Sequence, residues 1–424
     1  MHGYSIWQLA LSALAILGLW AVALATALLA ALSTFSSFSG SQGDPLAILV
    51  VSSVCLVASL LLLPAVLYAL ERLSGRSWGA WLAPLYRLRP TVLIFLLPFV
   101  LAVGSGVKQV APLAWIVFPP LHILAIGLPI LWVLYLAVHG LPLGSRQCMW
   151  GVFGSGLVMG PTLIIIAEGL AALVVLVLAI LALSGSPELV DELTTLAEWV
   201  SRTSPSQQEL FDALTPYLVN PAVIGLSFFF MALVIPLIEE FLKPVGVWLL
   251  MGRKMRPAAG FAAGALSGAG FALLESLFTY SEESWALMAV ARTGTAMVHI
   301  LTSGLVGWGL VQAWGQKKYL RLALAYAGAV AVHGLWNGMS LLAVFSALAA
   351  QVQLGDSLSS LSTGLQIVAA LCLMAMAVGA FLSLTLINKR LRGAGLLADA
   401  GNPETPPSQN AKDSEPNLNV TDVE

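Results

Sequence analysis

The chain has 424 residues, 59% of them hydrophobic and only 9% charged, with a formal net charge of −2. Its mean hydropathy is +0.91. These values exclude a soluble domain and give no reason to expect a polyanionic partner such as nucleic acid; they predict an all-α polytopic membrane protein whose surroundings are the lipid bilayer.

Apolar runs long enough to cross a bilayer as helices need about 20 residues. In chain order they are Ile6 to Leu32, Leu46 to Leu70, Thr91 to Ser105, Pro112 to Val138, Met149 to Leu183, Ala222 to Leu250, Pro257 to Tyr280, Trp285 to Trp314, Leu320 to Leu348 and Thr363 to Ile387. The third is short and contains Pro98. The first lacks a basic leader and is too long for a signal-peptide core, so it is expected to be retained as a span.

Basic residues fall in alternate loops. Arg72, Arg76, Arg87, Arg89, Arg146, Arg253, Lys254, Arg256, Lys317, Lys318, Arg321, Lys389, Arg390 and Arg392 lie on one side, against Lys108 and Arg202 on the other. The positive-inside rule then places both termini in the cytoplasm, in a multi-pass protein of the plasma membrane.

These boundaries divide the chain into an N-terminal membrane region, 1–183, an exterior acidic connection, 184–221, a polar four-helix core, 222–348, an exterior loop with the last span, 349–392, and a tail, 393–424. In the connection, Leu189, Leu193, Leu196 and Val200 recur at helical spacing among acids, which predicts an amphipathic helix lying on the membrane surface. The tail is rich in Pro, Asn and acids and reads as disordered. Cys55, Cys148 and Cys372 form neither a disulfide framework nor a CxxC metal pair.

The core carries the chemistry. Glu239 and Glu240 interrupt an apolar run, with Lys243 at i+4 and i+3 on the same helix face. A charged side chain at a helix centre costs about 2.5–3.5 kcal/mol on insertion scales, and two acids against one base leave a surplus that one ion pair does not remove. The next run holds Gly260, Gly264 and Gly268, a ridge for close helix packing, and then Phe271 and Glu275. Arg292 and His299 share a face in the following run, and His333 and Asn337 stand at i, i+4 in the one after, beside Trp336.

Glu239-Glu240-x-x-Lys243, Phe271-x-x-x-Glu275, Arg292 with His299, and His333-x-x-Trp336-Asn337 together resemble the motif series of PrsW-type intramembrane proteases, distant relatives of the CAAX-prenyl endopeptidases. The resemblance covers Ala222 to Leu348. It implies a bacterial membrane-embedded endopeptidase that activates water with glutamate and cleaves membrane-anchored proteins, with anti-sigma factors as the type of substrate. Carried over, it makes Glu239 or Glu240 the general base, His299 and His333 the holders of the water, Asn337 an oxyanion donor and Glu275 an orienting acid. Lys243, Arg292, Phe271 and Trp336 then support them.

No cofactor is expected on this reading, since the sequence has no HExxH. The alternative is zinc on His299, His333 and Glu240 with water in the fourth position. Two other classes share some of these features: a proton-coupled transporter, which would show an internal repeat that the two halves lack, and a noncatalytic scaffold, for which an intact set of Glu240, His299, His333 and Asn337 is unnecessary.

Overall fold

A computed structural model of the chain describes residues 2–37, 45–76, 89–183, 187–203, 205–281, 284–351 and 356–400. Among these residues all regular structure is helical, and 10 helices are long and apolar enough to cross a membrane. They are α1 (His2–Ser37), α2 (Pro45–Ser74), α3 (Pro90–Val107), α4 (Ala111–Val138), α5 (Arg146–Leu181), α8 (Pro221–Trp248), α9 (Pro257–Phe278), α10 (Trp285–Gln316), α11 (Tyr319–Gln351) and α12 (Asp356–Ala400). Between α5 and α8 lie two shorter helices, α6 (Pro187–Thr203) and α7 (Gln207–Leu218).

The chain is therefore the all-α polytopic protein its composition predicts, with spans close to the expected ends. In α3 a turn of 3-10 helix at Ile94–Leu96 interrupts the span, and a new α segment starts at Leu97 with Pro98 in its first turn. Proline is tolerated there because the first amides of a helix have no intrahelical acceptor.

The exterior connection departs from expectation. It forms two helices instead of one, because Ser206 starts α7 with a capping box: its hydroxyl accepts from the Glu209 amide at 3.3 Å, and the Glu209 carboxylate accepts from the Ser206 amide at 2.8 Å. The hydrogen bond from the Ser206 amide holds the Glu209 carboxyl below its usual range. At the other end, α12 continues to Ala400, beyond the point where the tail was expected to begin. The remainder of that tail, 401–424, lies outside the described residues, as does Arg87.

Two helices form the centre. In the most apolar windows of α9 and α10, 89% and 83% of residues are buried, against 6% in those of α5 and α8, whose outer faces are left for lipid. α9 can be enclosed because it is studded with small residues. Its Gly260, Gly264 and Gly268 lie directly against α10, and a Cβ at Gly264 would stand 2.1 Å from the Ser303 carbonyl oxygen. The opposite side of α9 packs on α4 and α5, and α10 packs on α11 and α12. The small-residue ridge thus sets the distance between the two helices that carry Glu275 and His299.

Since the obstruction at Gly264 is backbone, a side chain there cannot be accommodated by rotamer changes. Gly264→Val should destabilise the protein by about 1–3 kcal/mol through overpacking, measured as a lower midpoint of thermal unfolding in detergent. A wild-type midpoint would show that α9 and α10 can separate freely.

Candidate active site

Helix α8 is not a regular helix, and its irregularities place the acids. A π turn at Phe230–Val234 precedes Glu239 and Glu240, and the helix breaks after Lys243, where Pro244 starts a short helical turn, Val245–Trp248. Backbone freed in this way within a membrane must find other partners. The Met231 carbonyl accepts from Asn337 Nδ2 at 3.0 Å, the Leu237 carbonyl from the Tyr326 hydroxyl at 2.7 Å, and the Lys243 carbonyl from the Ser267 hydroxyl at 2.6 Å. Neighbouring helices thus hold the break open. Gly334 allows the approach of α11, since a Cβ there would meet the Ala232 carbonyl oxygen at 2.2 Å.

Just before the break, Lys243 stands at the middle of a polar cluster, fully buried. Its Nζ lies 2.7 Å from Glu239 Oε2, 2.8 Å from Glu240 Oε1 and 2.7 Å from His299 Nδ1, with His333 Nδ1 at 3.2 Å. An ammonium has three hydrogens, and the three short contacts account for them. His299 Nδ1 is then an acceptor, and its Nε2–H faces Glu275 Oε2 at 2.9 Å. His333 takes the opposite tautomer: its Nδ1 is 2.9 Å from Glu240 Oε1 and donates there, leaving Nε2 3.8 Å from Glu239 Oε2. The tautomers are assigned from this network.

Surrounding groups complete the cluster. Arg292 pairs with Glu275 at 2.8 Å and donates from Nε to the Ser276 hydroxyl at 3.0 Å, so it closes the site instead of reaching for the membrane surface. The Phe271 ring lies under Lys243 Nζ, 4.9 Å from its centroid, and meets His299 edge-on at 5.2 Å. The two imidazoles are themselves perpendicular, with centroids 5.1 Å apart.

Of the expected residues, Glu239, Glu240, Lys243, Phe271, Glu275, Arg292, His299 and His333 therefore form one cluster. Asn337 is tied to α8 by one hydrogen of Nδ2, donated to the Met231 carbonyl. Trp336 packs away from the cluster, against Gly294 of α10 and Ala377 of α12.

One acid was missed. Glu168 of α5 is near enough to Glu239 for a side-chain hydrogen bond, and its Oε1 is buried without a partner. The signal was available as a lone acid inside the fifth apolar run. Glu168 therefore brings a helix from outside the expected four-helix core to the edge of the site.

The two glutamates differ in access. Glu240 is completely enclosed, and its Oε1 is engaged by Lys243 and His333; Glu239 keeps 10% of its side chain open. The donor set also suits a metal ion: Glu239, His299 and His333 each offer one atom, all within 4.8 Å of one another and all buried. Nitrogen and carboxylate oxygen from two histidines and one acid match the usual ligands of zinc. The expected zinc alternative named Glu240, but the geometry gathers Glu239. Lys243 Nζ touches two of these three residues at 2.7 Å, so the spot already favours a cation, and an ion bound by all three must displace the ammonium.

A helical membrane bundle enclosing paired acids, paired imidazoles and a basic residue carries the groups that amide hydrolysis needs. A family model described as PrsW family intramembrane metalloprotease matches residues 144–375. The chain belongs to that family and is an intramembrane protease. The match starts before α5 and so includes Glu168, reaching well beyond the motifs in Ala222 to Leu348. No curated protein and no solved structure gave a match.

Lys243→Met should remove the only cation in contact with Glu239 and Glu240 among the described residues. Stranding a buried charge costs about 3–5 kcal/mol, so the variant should show a markedly lower unfolding midpoint in detergent. The double variant Glu240→Gln/Lys243→Met should recover part of that loss; failure to recover would mean that the ammonium is not held chiefly by charge.

Proposed function

We propose that Glu239 is the residue at which water is activated for peptide hydrolysis, with Glu240 and Lys243 fixing it in place. The observation that carries this reading is the difference between two adjacent acids, one enclosed and doubly engaged, the other opening from the cluster beside a free histidine nitrogen. The 3.8 Å between Glu239 Oε2 and His333 Nε2 exceeds a direct hydrogen bond and leaves the histidine nitrogen available to a reacting molecule, while Lys243 engages Glu239 through Oε2.

In this mechanism Glu239 takes a proton from water as the new C–O bond forms at the substrate carbonyl, and the same proton goes to the leaving amine as the C–N bond breaks. His333, oriented through its Nδ1–H by Glu240, holds the water by accepting from it at Nε2. Glu275 fixes His299 from the opposite side, and Arg292 holds Glu275. The low-dielectric surroundings strengthen each of these interactions.

A second reading is favoured by the convergence of Glu239, His299 and His333. A divalent ion such as zinc held by these three residues would supply a Lewis acid and a water of lowered pKa. On that reading Glu239 is a ligand, and Glu240, whose Oε2 is buried without a partner, is the proton acceptor that this chain retains.

The substrate is a membrane-anchored protein, for which a regulatory single-span protein of the anti-sigma-factor type is the proposed example. The distribution of basic residues supports both termini in the cytoplasm, and a bacterial plasma membrane is proposed from the family resemblance.

Purified protein should cleave a single-span substrate. Glu239→Gln and His333→Ala should each lower kcat by about 100-fold or more, in keeping with loss of a general base or its partner, while the unfolding midpoint stays near wild type. Wild-type turnover in both variants would refute the assignment. Metal analysis separates the two readings: a tightly bound equivalent lost in Glu239→Gln but kept in Glu240→Gln supports the ion, whereas full activity after exhaustive chelation, with no metal retained, removes it.

A further inference from the structure

A cavity lies away from the catalytic cluster, where α5 and α9 begin and the chain leaving α8 turns back. Its volume is about 330 Å³, in the range of sites that bind small molecules. The mouth is formed by Arg253, Lys254 and Arg256, and none of the residues lining the cavity is acidic. Val152, Leu250 and Leu266 form the apolar floor. Arg253 is braced by the Tyr4 ring, 4.4 Å from its guanidinium carbon to the ring centroid.

We propose that this cavity binds an anionic phospholipid, with the phosphate at the basic mouth and the glycerol and upper acyl chain on the apolar floor. Depth is the first argument. The cavity is bounded by the first turns of two spans, α5 and α9, so its mouth lies at headgroup level, while Leu266 stands nine residues into α9, about 14 Å along its axis and well into the hydrocarbon.

Charge is the second. Arg253 and Lys254 at the membrane interface attract anionic headgroups, and no acid lines the cavity beside them. The N-terminus of α9 also faces there, adding its partial positive charge, whereas that of α5 is capped by the Ser145 hydroxyl. The α9 terminus has no side-chain cap, and Pro257 occupies its first turn. A soluble anion would satisfy the mouth but leave the floor empty, whereas a zwitterionic lipid would fill the floor without matching the charge.

The site is tied to the catalytic machinery through the chain itself. Leu250 and Arg253 belong to the turn that leads away from Lys243 and Pro244, and Leu266 adjoins Ser267, whose hydroxyl holds the Lys243 carbonyl. A lipid seated between them braces the segment after the break.

The test uses full-length protein purified in detergent, delipidated, and offered phosphatidylglycerol, phosphatidylcholine or inorganic phosphate, with retained lipid counted by native mass spectrometry and the unfolding midpoint recorded. Phosphatidylglycerol should be retained and should raise the midpoint, with phosphatidylcholine and phosphate doing neither. The Arg253→Gln/Lys254→Gln variant should bind it about thirty-fold more weakly, and Ala259→Leu, which fills the cavity without changing charge, should also lose it. Equal retention of phosphatidylcholine, stabilisation by phosphate alone, or wild-type retention in both variants would overturn the proposal. The outcome is independent of whether Glu239 or a metal ion activates the water.

Discussion

The buried ammonium of Lys243 is the interaction around which this membrane protein is organised. It is fully enclosed, and its three hydrogens go to Glu239, Glu240 and His299. Removing charges from water costs several kcal/mol per ion even after relaxation, and it is offset only when each charge has partners in good geometry. Lys243 meets that condition for two acids at once. Because its partners come from α8 and α10, the same contacts also fix how those helices face each other.

That arrangement stands at a break in α8. Lys243 still has helical geometry, so the ordinary i+3 and i+4 spacing holds it beside the acids; Pro244 ends the helix directly after it, and the short turn Val245–Trp248 follows. The Lys243 carbonyl at the break and the Met231 carbonyl in the π turn accept from Ser267 on α9 and Asn337 on α11, and Tyr326 on α11 adds a bond to the Leu237 carbonyl between them. Residues that never touch the cluster therefore determine its shape. Asn337 illustrates the point, since a motif position one turn from His333 secures backbone on the neighbouring helix.

The sequence made the cluster visible because charge is conspicuous in lipid-like segments. Glu239, Glu240, Glu275, His299 and His333 each stand out in an apolar run, and the helical period puts Lys243 beside the acid pair. The roles within the cluster were less legible, since they depend on which atom faces which across helices. The adjacent acids are identical in type, and only the fold encloses Glu240 and leaves Glu239 open. Zinc was assigned to Glu240 for the same reason. Glu168 was overlooked because it lies on a helix outside the motif-bearing four, and sequence alone does not say that α5 folds against α9. The division of the surface helix into α6 and α7 followed from a local signal, Ser206 with Glu209 three residues on, that the longer hydrophobic period concealed.

Counting charge across the whole cluster connects Glu168 to the chemistry. Four carboxyl groups, Glu168, Glu239, Glu240 and Glu275, meet two permanent cations, Lys243 and Arg292. If all four were ionised the site would carry a formal charge of −2 within the membrane, a state the surrounding hydrocarbon strongly disfavours. The balance comes from protons, held by the acids or by the two imidazoles, or from a divalent cation. Both solutions converge on Glu239, which faces Glu168 on one side and the two histidines on the other. On either proposed reading, proton transfer or a metal ion, the surplus acid bears on this one side chain.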